Sequence, residues 1–160
     1  MNAIAPLRTE RNNATEGRVD YLTFHVAGAV FAVRAVLVRD VLRLASLTAV
    51  PLAQREVAGL INLRGHVVTA IDLASRLDLP STAGAGQRMS IVIERGNEAY
   101  CFIVNGVGDV IGIESSEIET NPASMDQRWA GLSRGVFKKE KDLVVLLDID
   151  AVLDIRRAKV

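Results

Sequence analysis

Gly59-Leu60-Ile61-Asn62-Leu63-Arg64-Gly65-His66-Val67-Val68-Thr69-Ala70-Ile71-Asp72-Leu73 is the stretch on which the reading of this chain turns. Val67 to Leu73 is a strongly apolar strand that closes on Asp72-Leu73, with a short helical turn through Leu77 after it. Arg64 is a single charge between apolar strands, bracketed by Gly59 and Gly65. An arginine so placed is either a solvated turn residue or a groove residue. In a groove it could make bidentate contact with a carboxylate or with backbone carbonyls of a partner. Upstream, Pro51 breaks the pattern, and Leu52 to Ala58 reads as about two helical turns with Gly59 as their C-terminal stop.

Further towards the N-terminus, Val36 to Leu44 carries both a helical and a strand signal, and its β-branched density favours a bent strand. Leu22, Phe24 and Val26 alternate with Thr23 and His25, the period of a strand with one buried face. Ala27-Gly28-Ala29 turns the chain into a second strand, Val30 to Val33. Order is expected to begin near Tyr21. Residues 1–18 hold Pro6, Asn12, Asn13 and Gly17 with mixed charges, the composition of a disordered tail, and leave 19–160 as one domain.

On the other side, Pro80 to Gln87, with Ser81, Thr82, Gly84 and Gly86, reads as an internal linker near 80–88. Ile91 to Ile93 and Tyr100 to Val104 form a hairpin about Arg95-Gly96-Asn97-Glu98. Val107 to Ile113 is a further strand, and Asn121 to Gln127 a loop. Leu132 to Phe137 and Leu143 to Ile149 are two more strands, joined by the charged turn Lys138 to Asp142. Asp150 to Arg157 suits a short helix with Ala151, Val152 and Ile155 inward.

The two halves echo one another. Phe24 to Val33 and Val92 to Val104 are both strand, glycine turn, strand. Asp72-Leu73 precedes Leu77 as Asp148-Ile149 precedes Leu153. Gly59-Leu60 is matched by Gly131-Leu132. The pattern predicts a mainly β protein of two similar small units about one seam, a barrel or sandwich rather than a parallel α/β sheet.

Composition bounds the function. In 160 residues, 49% are hydrophobic and only 4% aromatic, so the core is built from Val, Ile, Leu and Ala. The net charge is zero, without the basic excess that nucleic acid or an anionic membrane rewards. Cys101 is the single cysteine, which excludes an intramolecular disulfide. No apolar run approaches the ~20 residues of a membrane span, and residues 1–17 lack the apolar centre of a signal peptide. A cytoplasmic location is the default expectation.

Candidate chemistry is sparse. The histidines are His25, on the outer face of the first strand, and His66, after the Arg64-Gly65 turn. Neither stands in a recognisable nucleophile–base pattern. Cys101 lies in an apolar strand, where a thiol is inert. Asp148 and Asp150 share a strand face and could hold a hard cation, but capping of the following helix explains them better. Gly84-Ala85-Gly86 lacks the strand and Lys-Ser/Thr of a phosphate loop. Arg134, Lys138, Lys139 and Lys141 are offset by Glu140 and Asp142, as at a solvated hairpin tip. No catalytic residue, metal site or cofactor is expected; an enzyme using His66 and Asp72 is the rival reading.

The Gly59-to-Leu73 stretch resembles the CheW family of chemotaxis coupling proteins, whose hallmark is Gly-x-x-Asn-Leu-Arg-Gly followed by an apolar strand closing on Asp-Leu. Phe24 through Val41 resembles the family's opening and ends in Val38-Arg39-Asp40-Val41. Pro51 stands at the family's proline. Val104-Asn105-Gly106-Val107-Gly108-Asp109-Val110 resembles the second-half signature, and Gly131-Leu132 with Leu147-Asp148-Ile149 the close. The match runs in order from Tyr21 to Leu153. The departures are Asp40 for a commoner glutamate, Thr69 for proline and Asn105 for aspartate.

The resemblance implies two topologically similar five-stranded, SH3-like β-barrels around a shared core, with short helices. It implies an adaptor that couples the regulatory domain of a CheA-type histidine kinase to the cytoplasmic tips of methyl-accepting chemoreceptors in membrane-associated arrays. A receptor groove would involve Val38, Asp40, Arg64, Val107 and Val110, with Gly59, Asn62, Leu63, Gly65 and Asp72 as motif residues. Kinase contact is expected through barrel edges. No reaction, nucleic-acid contact or membrane insertion is implied. A tail of about 20 residues is too short for a receiver or phosphotransfer domain of ~100 residues. The alternative is a CheW-like module in a non-motility pathway, or one that competes with the main coupling protein.

Overall fold

The computed structural model describes residues 17–44, 46–80 and 88–155. In chain order the strands are β1 Arg18–Val26, β2 Ala29–Arg34, β3 Val38–Arg43, β4 Val57–Leu63 and β5 His66–Asp72. Then follow β6 Met89–Arg95, β7 Glu98–Val104, β8 Gly106–Glu114, β9 Ser133–Lys139 and β10 Asp142–Leu147. Three short helices accompany them: α1 Leu73–Arg76, α2 Gln127–Ala130 and α3 Ile149–Leu153. β1 begins at Arg18, ahead of the expected start. Residues 1–16 of the expected tail, and 81–87 of the expected linker, lie outside the described residues.

The strands form two five-stranded sheets, ordered β8-β1-β2-β10-β9 and β3-β6-β7-β5-β4. Neighbours are antiparallel except β2 with β10 and β5 with β7. Each half of the chain runs hairpin, edge strand, hairpin, short helix. Each sheet, however, takes its first hairpin from one half and its other three strands from the other half. The expected repeat is therefore present, but the halves are exchanged, and neither completes a sheet without the other.

Backbone bridges curl both sheets towards closure: Thr48 meets Leu60, and Glu119 meets Val136. A glycine precedes the second partner each time. Gly59 has φ +152°, and a Cβ there would fall 2.5 Å from the Thr48 carbonyl oxygen. Gly135 has φ +143°, and its Cβ would fall 2.8 Å from the Glu119 carbonyl oxygen. This corrects two expectations. Leu52 to Ala58 is not helical, because β4 starts at Val57 and Gly59 is a bulged strand residue rather than a helix stop. Burial of Glu56 and the Asp72 N–H donated to its carbonyl (2.8 Å) commit this segment to β5, overriding local propensity. The true counterpart of Gly59-Leu60 is Gly135-Val136; Gly131 instead caps α2, which begins at Gln127, the last residue of the expected loop.

Three apolar clusters follow from this topology. Tyr21, Ala32, Ile113, Val144 and Leu146 fill the first barrel. Ile61, Val68, Ala70, Cys101 and Ile103 fill the second. Between the sheets lies a larger shared core that includes Leu22, Phe24, Phe31, Ile71, Phe102 and Val152. β1 therefore has two buried faces, and Tyr21, Leu22, Thr23 and Phe24 are all buried. The outward placement expected for Thr23 is overturned, while His25 is exposed as read. The hairpins that carry buried residues on both faces are those that belong to one barrel and also line the seam.

Asp72 caps α1, accepting from Ala74 N at 3.1 Å, and Asp148 caps α3, accepting from Ala151 N at 3.3 Å. α3 starts at Ile149 and buries Ile149 and Val152, with Ile155 buried just beyond it; Ala151 is only half-buried.

Candidate functional site

Leu63 pairs with His66, so β4 and β5 are joined by the two residues Arg64 and Gly65. Both have positive φ, +52° and +86°, the requirement of a tight hairpin turn matched to strand twist. The Asn62 Oδ1 accepts the Gly65 N–H at 2.9 Å and closes the turn. Asn62, Leu63 and Gly65 are thus the scaffold of the motif, and Arg64 is its product: a guanidinium held outward, 85% exposed.

Arg64 Nη2 lies 3.5 Å from Asp40 Oδ2. Asp40 is on the edge strand β3, where its Oδ1 accepts the Val41 N–H at 2.8 Å, so the carboxylate is fixed by its own backbone. An ion pair with one partner this exposed is worth at most about 1 kcal/mol, and Arg64 can exchange it for a better acceptor. The pair borders an open concavity of about 660 Å³, lined also by Leu42, Val67, Val92 and Tyr100. Val67 is 66% exposed there. The Tyr100 hydroxyl donates to Glu98 Oε1 at 2.6 Å, which raises its pKa above the ordinary phenol range, with burial adding to the shift.

The other named residues lie elsewhere. Val38 is buried in the shared core, and Val107 is half-buried against it. Val110 is exposed, on β8 at the edge of the other sheet. A relation between the two signatures escaped the sequence reading. Val38 opposes Ile93 and Val107 opposes Phe24, and each is followed by a bulge. Val38-Arg39-Asp40-Val41 and Val107-Gly108-Asp109-Val110 are therefore the same segment of the two barrels. Their surroundings differ in charge: the hairpin turn equivalent to Arg64 carries Glu140, at φ +55°. Among the described residues, the symmetric fold thus places an arginine–aspartate pair at this position in one barrel and a glutamate at the equivalent turn of the other.

Asp72 is committed to capping, and Ser75 Oγ also donates to it at 3.3 Å. His66 is exposed at the opposite end of β5, roughly 20 Å away at the usual rise per strand residue. His66 and Asp72 cannot act together, which removes the enzyme reading built on them. Cys101 is buried against Ser90, and burial pushes its thiol up to about 11. At pH 8 roughly 0.1% would be thiolate. Native protein is therefore expected to resist iodoacetamide for hours and to react at Cys101 only when unfolded. Intact-mass measurement checks this; fast native labelling would contradict it.

A second polar cluster joins the two halves, and no sequence motif announced it. Arg76, at the end of α1, donates from Nε to Val152 O and from Nη2 to Ala151 O, both at 2.8 Å. Trp129 Nε1 donates to Leu77 O at 2.8 Å, and the Trp129 ring packs edge-on against Phe31. Arg128 bridges Asp78 and Asp126. Burial lowers the Arg76 pKa, opposed by the carboxylates of Glu56 and Asp154. The donors from one half thus satisfy helix-end carbonyls of the other. Among the described residues no helix is long and apolar enough to cross a membrane.

Residues 20–157 match the family model described as the CheW-like domain. Among curated relatives, Chemotaxis protein CheW of Bacillus subtilis (strain 168) is 32% identical over 133 residues, 83% of this chain and 85% of that protein. Chemotaxis protein CheW of Rhizobium meliloti (strain 1021) is 26% identical over 138 residues, covering 86% and 89%. Among solved structures, the scaffolding protein TtCheW from Thermoanaerobacter tengcongensis superposes with a TM-score of 0.76 at 22% identity, covering 85% of this chain and 88% of that one.

Proposed function

Because this chain belongs to the CheW-like domain family and is a chemotaxis coupling scaffold, we propose that it bridges a CheA-type histidine kinase regulatory domain and chemoreceptor cytoplasmic tips. The observation that carries the residue-level reading is the Arg64–Asp40 pair, held by strand and turn backbone beside an open concavity. A helical receptor tip offers an apolar stripe with flanking charges. Exposed aliphatic groups such as Val110 would take the stripe, and Arg64 and Asp40 would set its register. Val38 and Val107 support this from beneath by fastening the edge strands β3 and β8 to the shared core. The kinase would pack against barrel edges other than β3 and β8, leaving the receptor face open. The chain acts by placement and catalyses no reaction. It works in the cytoplasm, recruited to receptor arrays.

The Asn105 departure has a local use. Its Oδ1 accepts the Ala27 N–H at 2.7 Å, and its own N–H donates to His25 O at 2.9 Å, which ties the β1–β2 turn to β8. An aspartate would accept the same bond, so Asn105 is no argument for a different pathway.

Arg64→Ala is expected to weaken binding of a receptor-tip fragment by about tenfold, a typical loss for a central arginine contact. Its melting temperature and its affinity for the kinase domain should match the parent. Undiminished receptor binding by both Arg64→Ala and Val110→Asp would overturn the assignment of this face.

A further inference from the structure

We propose that Thr23 is a positioning residue for the partner-binding strand β8, its hydroxyl filling the bulge that presents Asp109 and Val110 outward. The proposal rests on the reading that β8 contacts the receptor. Along the β1–β8 ladder Leu22 pairs with Val110 and Phe24 with Val107, so Gly108 and Asp109 share Thr23 as their one opposite residue. Such a bulge leaves ladder groups of the bulged strand unpaired. Here the N–H and the carbonyl of Asp109 are both met by one atom. Thr23 Oγ1 accepts the Asp109 N–H at 3.0 Å and donates to the Asp109 carbonyl oxygen at 3.0 Å. Thr23 is 5% exposed, so its hydroxyl is fixed in this role rather than shared with bulk water.

Gly108 completes the fit. A Cβ at that position would lie 2.5 Å from Thr23 Oγ1. The hydroxyl occupies the space a side chain at 108 would need.

The equivalent bulge in β3 is satisfied differently. Asp40 pairs with Val92, which has no hydroxyl, and the Asp40 carboxylate itself accepts the Val41 N–H. In β3 the carboxylate of the signature aspartate is thus tied to the next backbone N–H, whereas in β8 Thr23 holds the backbone N–H and carbonyl of the signature aspartate itself. Asp109 is left exposed beside Val110. An acid next to an aliphatic side chain suits a lysine or arginine flanking the apolar stripe of a receptor helix.

The test compares Thr23→Val, Thr23→Ser and Gly108→Ala, with Val110→Asp as a control on the underlying reading. Thr23→Val keeps the shape and removes the hydroxyl. It should speed hydrogen exchange of the Asp109 amide by roughly tenfold or more and weaken receptor-tip binding about tenfold, with kinase-domain binding unchanged. Thr23→Ser should restore both. Gly108→Ala, which displaces the hydroxyl from the opposite strand, should reproduce the loss even if Thr23→Val folds poorly. Parental receptor binding by Thr23→Val, or failure of Thr23→Ser to restore it, overturns the proposal. If Val110→Asp also binds receptor normally, the reading of β8 as a receptor face fails as well. If Val110→Asp alone loses binding, only the role of Thr23 fails.

Discussion

Gly59→Ala and Gly135→Ala are each expected to lower stability by about 3 kcal/mol or more, on the order of 6–12 °C in melting temperature for a chain of this size. Gly28→Ala should cost only about 1 kcal/mol. All three glycines have positive φ, but Gly28, at +87°, is nearest the left-handed helical region, while Gly59 and Gly135, at +152° and +143°, lie well outside it, so backbone strain and steric contact act in the same direction. The larger difference is what a methyl group would meet. Nothing lies within 4 Å at Gly28, in the β1–β2 turn. At Gly59 and Gly135 the Cβ would overlap backbone carbonyl oxygens of Thr48 and Glu119, the groups that bring the far end of each sheet round to closure. Backbone cannot swing aside as a side chain can. Urea or thermal unfolding of the three variants checks the ordering. A Gly59→Ala variant as mild as Gly28→Ala would mean that the closing contact contributes little.

Arg76→Met should destabilise by about 2–3 kcal/mol, the loss of two hydrogen bonds from a charged donor in a half-buried site. It also removes a positive charge from beside Glu56, itself 5% exposed. Arg76→Lys should recover less than half. A lysine is a point charge and cannot fork between Ala151 O and Val152 O as the guanidinium does. Hydrogen exchange should show the loss concentrated in α1 and α3, since Arg76 is what joins them. Parental stability in Arg76→Met would mean that apolar packing of Val152 and Ile155 holds α3 without help.

The elements that the sequence revealed were those whose signals are local. Strand alternation in Leu22 to Val26, the Gly28 and Gly96 turns, and the Asp72-Leu73 and Asp148-Ile149 caps depend on residues within a few positions of one another. The turn of the candidate site was legible on the same terms, because Asn62, Arg64 and Gly65 make it by themselves. Whatever depends on a distant strand was not. A glycine after an apolar run signals a helix stop or a close backbone approach equally well, and only Thr48 in space decides between them for Gly59. Thr23 reads as a surface residue until β8 and its bulge cover it. The exchange of hairpins between sheets leaves no trace in spacing, since each half keeps the same order of elements. Arg76 looks like any basic residue ending a short helix, and its partners lie in the last helix of the other half.

A three-component retention assay tests bridging itself. A receptor-tip fragment is immobilised, a CheA-type regulatory domain is passed over it, and this chain is added or withheld. The kinase domain is expected to be retained only when the chain is present, in an amount that rises with the chain and falls with Arg64→Ala. Retention of the chain with loss of the kinase domain would contradict bridging, because the two partners would then compete for one face instead of occupying two.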